Sequence, residues 1–460
     1  MLNGKTSFFL CEAGSLAATR GALAGDVSTD ICIVGAGYTG LWAAWWLRHA
    51  LPDRSIRIVE AERVGFGASG RNLGWLSGKA LGDRRRLADG PGGVAGVIDL
   101  RRACIEAVTE IPSLMRENGI DIEARPCGYL QLARTPAGLA RVRATVDDRA
   151  WWGFEEADLR YLSRDEIRER VRIDGVLGGL YSPHCAWVQP AKLAIGLGRL
   201  LEARGVVIHE GTRVLGIGPG LVETDSGTVR ARVVLRATET YSPGLPGLRR
   251  AIIPMRSSAI VTEPLSQAEW AGIGWQRGEG LFGAEHWPLF ASRTQDGRIL
   301  LAGRGFPYRY GSRFDDDGHL EAGTIRQLED ELADLFPGAR PVVAHAWCGM
   351  FGMPRDWSPS VSFDPATGLG SAGGYGGQGL AASYVAGRTF ADLVAGRQTR
   401  WTRLPWTNRR APRWEVEPLR WLGARTSYHL FRFADTVEQR FGTAATSSFA
   451  RLARQLSGRP

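Results

Sequence analysis

Apolar residues along this chain fall into three kinds of pattern. The densest is Ile31 to Leu47, seventeen uncharged residues in a row (ICIVGAGYTGLWAAWWL). A helical span of a bilayer needs about 20 apolar residues, and Gly35, Gly37 and Gly40 interrupt this run. It therefore predicts a compact strand over residues 30–34, a tight turn, and a buried helix over residues 41–49. SIRIVEA (55–61) predicts a second buried strand ending at Glu60. The second pattern is alternation. VVIHEGTRVLGIG (206–218) and TVRARVVLRATETY (228–241) alternate apolar with polar residues, as half-exposed strands do. IIPMRSSAIVTEPL (252–265) and GRILLAGRG (297–305) predict strands of a larger sheet. The third pattern is helical spacing near the end. Leu430, Phe433, Val437 and Phe441 share one face, with Arg432, Asp435 and Arg440 away from it. This predicts a helix packed on the body through those apolar residues, or otherwise a membrane- or partner-binding helix. Proline-rich LPWTNRRAP (404–412) predicts a linker before it.

The glycines of the first pattern have separate physical jobs. Gly35 permits the tight turn, Gly37 lets backbone approach a pyrophosphate, and Gly40 lets helix and strand pack closely. The helix tip then presents N–H groups and a positive dipole to phosphates. Glu60 lies 20 residues past Gly40, where a carboxylate accepts ribose hydroxyls and repels a 2′-phosphate. An adenine dinucleotide is the expected ligand. GFGASGRNLGWLSG (65–78) reads as a glycine- and serine-rich loop, not a helix, that wraps a cofactor. GLGSAGGYGGQGLAASYVAGRTFADLVAG (368–396) reads as a short strand, a glycine turn and a helix from about residue 380 to 393. A second helix tip so far along the chain suits a flavin dinucleotide better than nicotinamide alone.

The glycine turn, Glu60, GASGRN (67–72) and WCGMFGMPRDWSP (347–359) followed by GLGSAGGYGGQG (368–379) together resemble the D-amino-acid oxidase/glycine oxidase/sarcosine oxidase superfamily. Within it the chain is most similar to the γ-glutamylputrescine oxidase-like branch. The resemblance implies an α/β fold in which a Rossmann-like FAD-binding domain is interwoven with an α+β substrate domain containing an antiparallel sheet. The first would take residues 28–100, 185–245 and 340–398, the second 101–184 and 246–339, leaving a basic helical C-terminal extension at 399–460. The implied cofactor is non-covalent FAD. The implied activity is oxidation of the C–N bond of a primary or secondary amine, an amino acid or polyamine derivative, to an imine by hydride transfer to flavin. Oxygen or another acceptor then takes the electrons.

Carried over by position, the first turn contributes Gly35, Gly37, Tyr38, Thr39 and Gly40, and the second strand Glu60 and Ala61 on the adenosine ribose. Ala68, Ser69, Arg71 and Asn72 would touch the pyrophosphate and ribityl chain, and Val214 the adenine through its backbone. Gly349, Gly376, Gly377, Gln378, Gly379 and Leu380 would face the flavin ring. Leu73 departs from the branch, which has Gly there.

Two lysines of sarcosine oxidases have no counterpart. Ala381 stands where one grips the substrate carboxylate, and no lysine follows Lys192. Either the substrate lacks that carboxylate or an arginine holds it. The candidates for the substrate pocket are Trp347, His286, Arg304 and Lys79, with Arg256, Trp287 and Phe290 behind them. The cysteine that bonds flavin in sarcosine oxidases would fall at Gly349, one residue from Cys348.

Composition adds constraints. Six cysteines without a C-x-x-C pair and seven histidines without ligand spacing predict no disulfide framework and no metal. LGWLSGKA (73–80) is only superficially a phosphate loop, since Leu73 and Ala80 replace its Gly and Ser/Thr. The apolar start stops at Glu12, too early for a secretory signal, so a cytoplasmic protein is expected. The net charge of +9 is concentrated after residue 400, where 11 arginines face 4 acids. The basic tail reads as a solvated or packed helix, not a nucleic-acid site. A catalytically quiet FAD-bearing subunit, using that tail for assembly or electron transfer, is the alternative function.

Overall fold

The computed structural model describes residues 1–16, 20–79, 82–314 and 317–459. Ala80, named above in the phosphate-loop comparison, lies outside them. Two large sheets organise the chain. The eight-stranded one runs Val207–His209, Ile56–Val59, Val27–Val34, Gly227–Arg236, Leu221–Thr224, Val214–Gly218, with Leu369–Gly373 also on Gly227–Arg236 and Ser360–Asp364 beside it. Its central pairs are parallel, and Val27–Val34 is uncharged from Ile31 onward because both faces are covered, Ile31 and Ile33 by helices and Cys32 and Val34 by an apolar cluster with Leu23, Val222 and Val229. The register sets Val34 opposite Val59, which brings Glu60 alongside the glycine turn.

The expected helix is observed as Tyr38–Ala50 and the later one as Gly379–Val394. They pack tightly on each other. A Cβ on Gly387 would lie 2.6 Å from the Trp42 carbonyl carbon, and the Trp42 and Tyr384 rings meet edge to face at 4.9 Å. Gly40 is tighter still, since a Cβ there would sit 2.0 Å from the Gly35 oxygen. Gly93–Glu117 and Pro190–Glu202 complete this core.

The nine-stranded sheet runs Leu2–Asn3, Val343–Met353, Ile253–Thr262, Ile299–Arg304, Phe290–Arg293, Gly280–Gly283, Tyr129–Ala133, Gly178–Ser182, Arg160–Ser163. Val343–Met353, expected within the 340–398 piece of the first domain, pairs along its whole length with Ile253–Thr262. Ala322–Leu335 covers one face with Ile325, Leu328 and Leu332. The other face turns toward the first sheet. Phe9, Trp187, Ala259 and Trp347 form the joint between them.

Two local expectations are corrected. GASGRN is not wholly loop, because Ala68–Arg71 forms one helical turn. The 404–412 stretch is a packed strap, with Trp406 fully buried and its carbonyl accepting from the Val361 N–H at 3.0 Å. Beyond it, Leu419–Phe441 and Ser448–Ser457 pair as a helical hairpin. The first of these docks through Arg420, Ser427, Phe431, Ala434 and Glu438, whereas Phe433 and Phe441 face solvent. Of the four residues expected inside, Phe433 and Phe441 are therefore outside and Leu430 and Val437 half-buried, because polar anchors fix the helix. Asp435 accepts from the His286 and Trp287 N–H groups, and Glu438 pairs with Arg141 and His286. Among the described residues no helix is long and apolar enough to cross a membrane.

Candidate functional site

A cavity of about 540 Å³ runs along the carboxyl ends of the parallel strands and ends against the nine-stranded sheet. The tips of Tyr38–Ala50 and Gly379–Val394 both border it. Neither helix is capped by the side chain of its own N-cap residue, Gly37 or Gln378, so apart from the Tyr38 N–H, which Ser69 takes, N–H groups of both first turns are left for a ligand. Between the tips, Thr39 Oγ1 and the Tyr375 hydroxyl stand 3.3 Å apart.

Gly35 has φ +106 and its Cβ position is blocked by the Ala237 oxygen at 2.8 Å, so only glycine fits. Glu60 lines the cavity, with Oε2 accepting from the Ala36 N–H at 2.7 Å and Oε1 from the Glu62 N–H at 3.0 Å. Burial raises its pKa against those two N–H donors. Ala61 and Val214 line the same end. Ser69 Oγ accepts from the Tyr38 N–H at 2.9 Å and lies 3.1 Å from where a Gly37 Cβ would be. Asn72 folds back onto its own turn, donating to Ser69 O at 2.9 Å and accepting from the Gly74 N–H at 2.8 Å. Arg71 is buried across the Phe66 ring, with Nε donating to Phe66 O at 2.8 Å. Ala68, Gly349 and the turn Gly376, Gly377, Gln378, Gly379, Leu380 also line the cavity. Gly377, at φ +89, has nothing within 4 Å of its Cβ position, which leaves space above the turn. Gly40 lies behind the wall, as its packing role requires.

The leading substrate-side candidates do not come together here, and none lines the cavity. Trp347 is fully buried behind it, its indole N–H donating to Arg71 O at 2.9 Å. His286 belongs to the cluster under the C-terminal helix. Arg304 binds Glu331 and the Trp287 carbonyl. Lys79 lies with Nζ 3.6 Å from the centre of the Phe282 ring, one ring removed from the cavity. Burial, then Arg459 and Arg101, push its pKa down to about 7. Arg256 points to the opposite side of its strand from Ser257 and Ala259, which do line the cavity. Of the aromatic candidates Phe290 lines it, beside Trp75, which sequence reading missed.

His286, Asp435 and Glu438 bring ligand atoms within 4.8 Å of one another. The Arg141 guanidinium already sits on this group, 2.8 Å from Glu438 and 3.2 Å from His286 Nε2, so it is an ion-paired anchor. None of the six cysteines lines the cavity.

Glu239 also escaped the sequence reading. It lines the cavity in a left-handed conformation, φ +40, between the second glycine turn and the large sheet. It accepts from the Gly374 N–H at 3.1 Å and from the Gly352 N–H. Burial outweighs these donors and pushes its pKa up to about 7. The readable signal was its place just past the end of a central parallel strand, where such folds put ligands.

The family described as FAD dependent oxidoreductase (DAO) matches residues 30–393, which include both helix tips and the cavity. The chain belongs to this family. It is thus an FAD-dependent oxidoreductase. Two curated relatives are 28% identical: gamma-glutamylputrescine oxidoreductase of Escherichia coli over 402 residues, 85% of this chain and 89% of that one, and the probable oxidoreductase OrdL of Rhizobium meliloti over 382 residues, 82% and 85%. Glycine oxidase from Geobacillus kaustophilus superposes with a TM-score of 0.69 at 21% identity, over 83% of this chain and 99% of that structure. The match places this oxidoreductase in the same fold. The open cradle over Gly377, the two helix tips and the buried Glu60 fit FAD.

Proposed function

We propose that this oxidoreductase oxidises the C–N bond of a primary or secondary amine, an amino acid or polyamine derivative, to an imine. The observation that carries the reading is one cavity spanning two helix tips and closing on the apolar face of a large sheet. Relatives that act on amines, gamma-glutamylputrescine oxidoreductase among them, support the substrate class. Bound FAD supplies the acceptor for the two electrons and the hydrogen leaving the substrate carbon. The chain supplies position and dryness. Glu60 and Ala61 would hold the adenosine ribose, with Val214 beside the adenine. The first turn (Gly35, Gly37, Tyr38, Thr39) and the 68–72 turn would hold the pyrophosphate, and residues 376–380 with Gly349 the ring.

The substrate would then lie against Trp75, Phe290, Ala259, Ala302 and Met350, which exclude water, with Ser257 and Tyr241 as nearby polar groups. That wall has no lysine, and the Arg71 guanidinium is engaged by carbonyls of Phe66 and Cys348. The pocket therefore suits an amine whose neighbouring substituents are uncharged better than a free α-amino acid. Trp347 would act by positioning the 71–72 turn, and Lys79 from behind the Phe282 ring.

Anaerobic addition of amines to the FAD-loaded protein tests this. Bleaching of the flavin absorbance by amines, with neutral amine derivatives faster than free amino acids, is the expected result. If a broad panel of amines and amino acids never bleaches the flavin, the reading fails and the catalytically quiet subunit takes its place.

A further inference from the structure

The C-terminal hairpin, residues 419–457, lies beyond the family match at 30–393 and away from the cavity. Its outer face is unusual for a surface. Leu422, Phe433, Phe441, Phe449, Leu452 and Leu456 are each between 38% and 68% exposed. Four of them form a continuous strip, because the Phe433 and Phe449 rings meet at 4.8 Å and Leu452 and Leu456 follow Phe449 at helical spacing, and Leu422 and Phe441 are exposed on the same hairpin. Single exposed apolar residues need no explanation, but a contiguous patch marks an interaction surface.

Charge says what kind. Arg440 and Arg451 are exposed on the same hairpin, where the sequence sets Arg440 apart from the apolar face, and Arg432 is half-buried next to Phe433; none of the three makes an ion pair among the described residues. All four acids of the extension are turned away toward the body. Glu415 pairs with Arg355, Glu417 with Arg420, Asp435 accepts from His286 and Trp287, and Glu438 pairs with Arg141. The outer face thus carries cations and large apolar groups with no acid of its own. A second copy docking through the same face would set its arginines against themselves. Three of the six apolar groups are leucines, which offer no stacking to nucleic-acid bases but enter hydrocarbon readily. Phe and Leu dipping below the headgroups, with arginines at phosphate level, is the arrangement of a helix lying in a membrane interface.

We propose that this hairpin docks the enzyme on an anionic lipid surface, its axis in the plane of the membrane and the cavity-bearing body on the aqueous side. Binding would add to the oxidoreductase activity without altering the cavity.

The test uses full-length, FAD-loaded protein and sedimentation with phosphatidylcholine vesicles, plain or containing about 30% phosphatidylglycerol, at low and high salt. Binding at least about tenfold tighter to the anionic vesicles, weakened by salt, is expected. The double variant Arg440→Glu/Arg451→Glu should lose more than about 25-fold, at roughly fivefold per arginine. Leu452→Ser/Leu456→Ser should also weaken binding. Both variants should keep their flavin content and thermal melting point, because all four side chains are exposed. Three results would overturn the proposal: no preference for anionic vesicles, vesicle binding indifferent to both variants, or a stable dimer that Leu452→Ser/Leu456→Ser dissociates.

Discussion

Single residues of the cavity separate into those whose role is local and those set by distant chain. Gly35, Gly37, Gly40 and Glu60 lie in one strand–turn–helix–strand unit, where Gly40 packs on Gly35 and Glu60 accepts from the Ala36 N–H, so spacing alone identified them. Glu239 depends on Gly352 and Gly374, more than 100 residues away, and no local pattern shows that a carboxylate will be walled in there. Its burial has a measurable consequence. In the unfolded chain it titrates near 4.5, and in the fold near 7. The fold therefore holds the proton more tightly. The stabilisation is complete below pH 4.5 and is lost as pH rises through 7, a change of about 3 kcal/mol at 1.36 kcal/mol per unit. Glu239→Gln cannot titrate. Urea midpoints of the apoproteins between pH 4.5 and 8 should show the wild type losing about that much relative to the variant. Parallel curves would mean that Glu239 stays ionised throughout.

At the scale of elements, packing between the two tip-bearing helices decides where their N–H groups point. Gly387→Ala would place a methyl 2.6 Å from backbone of Trp42, which cannot yield as a flexible side chain would. The helices must part, so the variant should be destabilised by about 2 kcal/mol or more and should release FAD on gel filtration. Gly423→Ala is the contrasting case. It sits in Leu419–Phe441 with nothing within 4 Å of its Cβ position, and should gain about 0.5–1 kcal/mol from helix propensity alone. Thermal melts of the pair separate a packing glycine from a merely tolerated one. Strands and helices with uniform periodicity were readable in the sequence, including Tyr38–Ala50 and Gly379–Val394 within about three residues at each end. Which face a strand gives to the cavity was not. Arg256 and Ser257 are adjacent, and only the pairing of Ile253–Thr262 between two other strands turns the serine inward. Trp347 has the composition of a pocket residue, but its indole is spent holding the 71–72 turn.

For the whole molecule, the extension after residue 400 is bound to the body by polar groups at its ends and middle. Trp414 donates to Met353 O at 2.7 Å, Tyr308 to Glu417 at 2.6 Å, and Arg355 to Ser457 O at 3.0 Å. Reading apolar periodicity as the buried side fails for such a helix, because its bonds to Arg141, on helix Pro136–Asp147, and to the His286–Trp287 loop outrank a strip of Phe and Leu in fixing its rotation. Glu438 is the central one. Burial alone would raise its pKa, but His286, the Ser447 N–H and Arg141 outweigh burial and hold it at about 2. Its folded value lies below the unfolded 4.5, so its contribution is complete above pH 4.5 and fades as pH falls toward 2. Glu438→Gln removes that dependence. Between pH 4.5 and 2 the wild type should lose stability more steeply than the variant, and at pH 7 the variant should be the weaker, with Arg141 left beside a neutral amide. Hydrogen exchange in residues 419–457 at pH 7 should rise in Glu438→Gln while exchange in residues 27–59 stays unchanged, since Glu438 bonds Arg141, His286 and the Ser447 N–H, none of which belongs to the first sheet. Equal exchange in both regions would mean that the hairpin opens only when the whole chain unfolds.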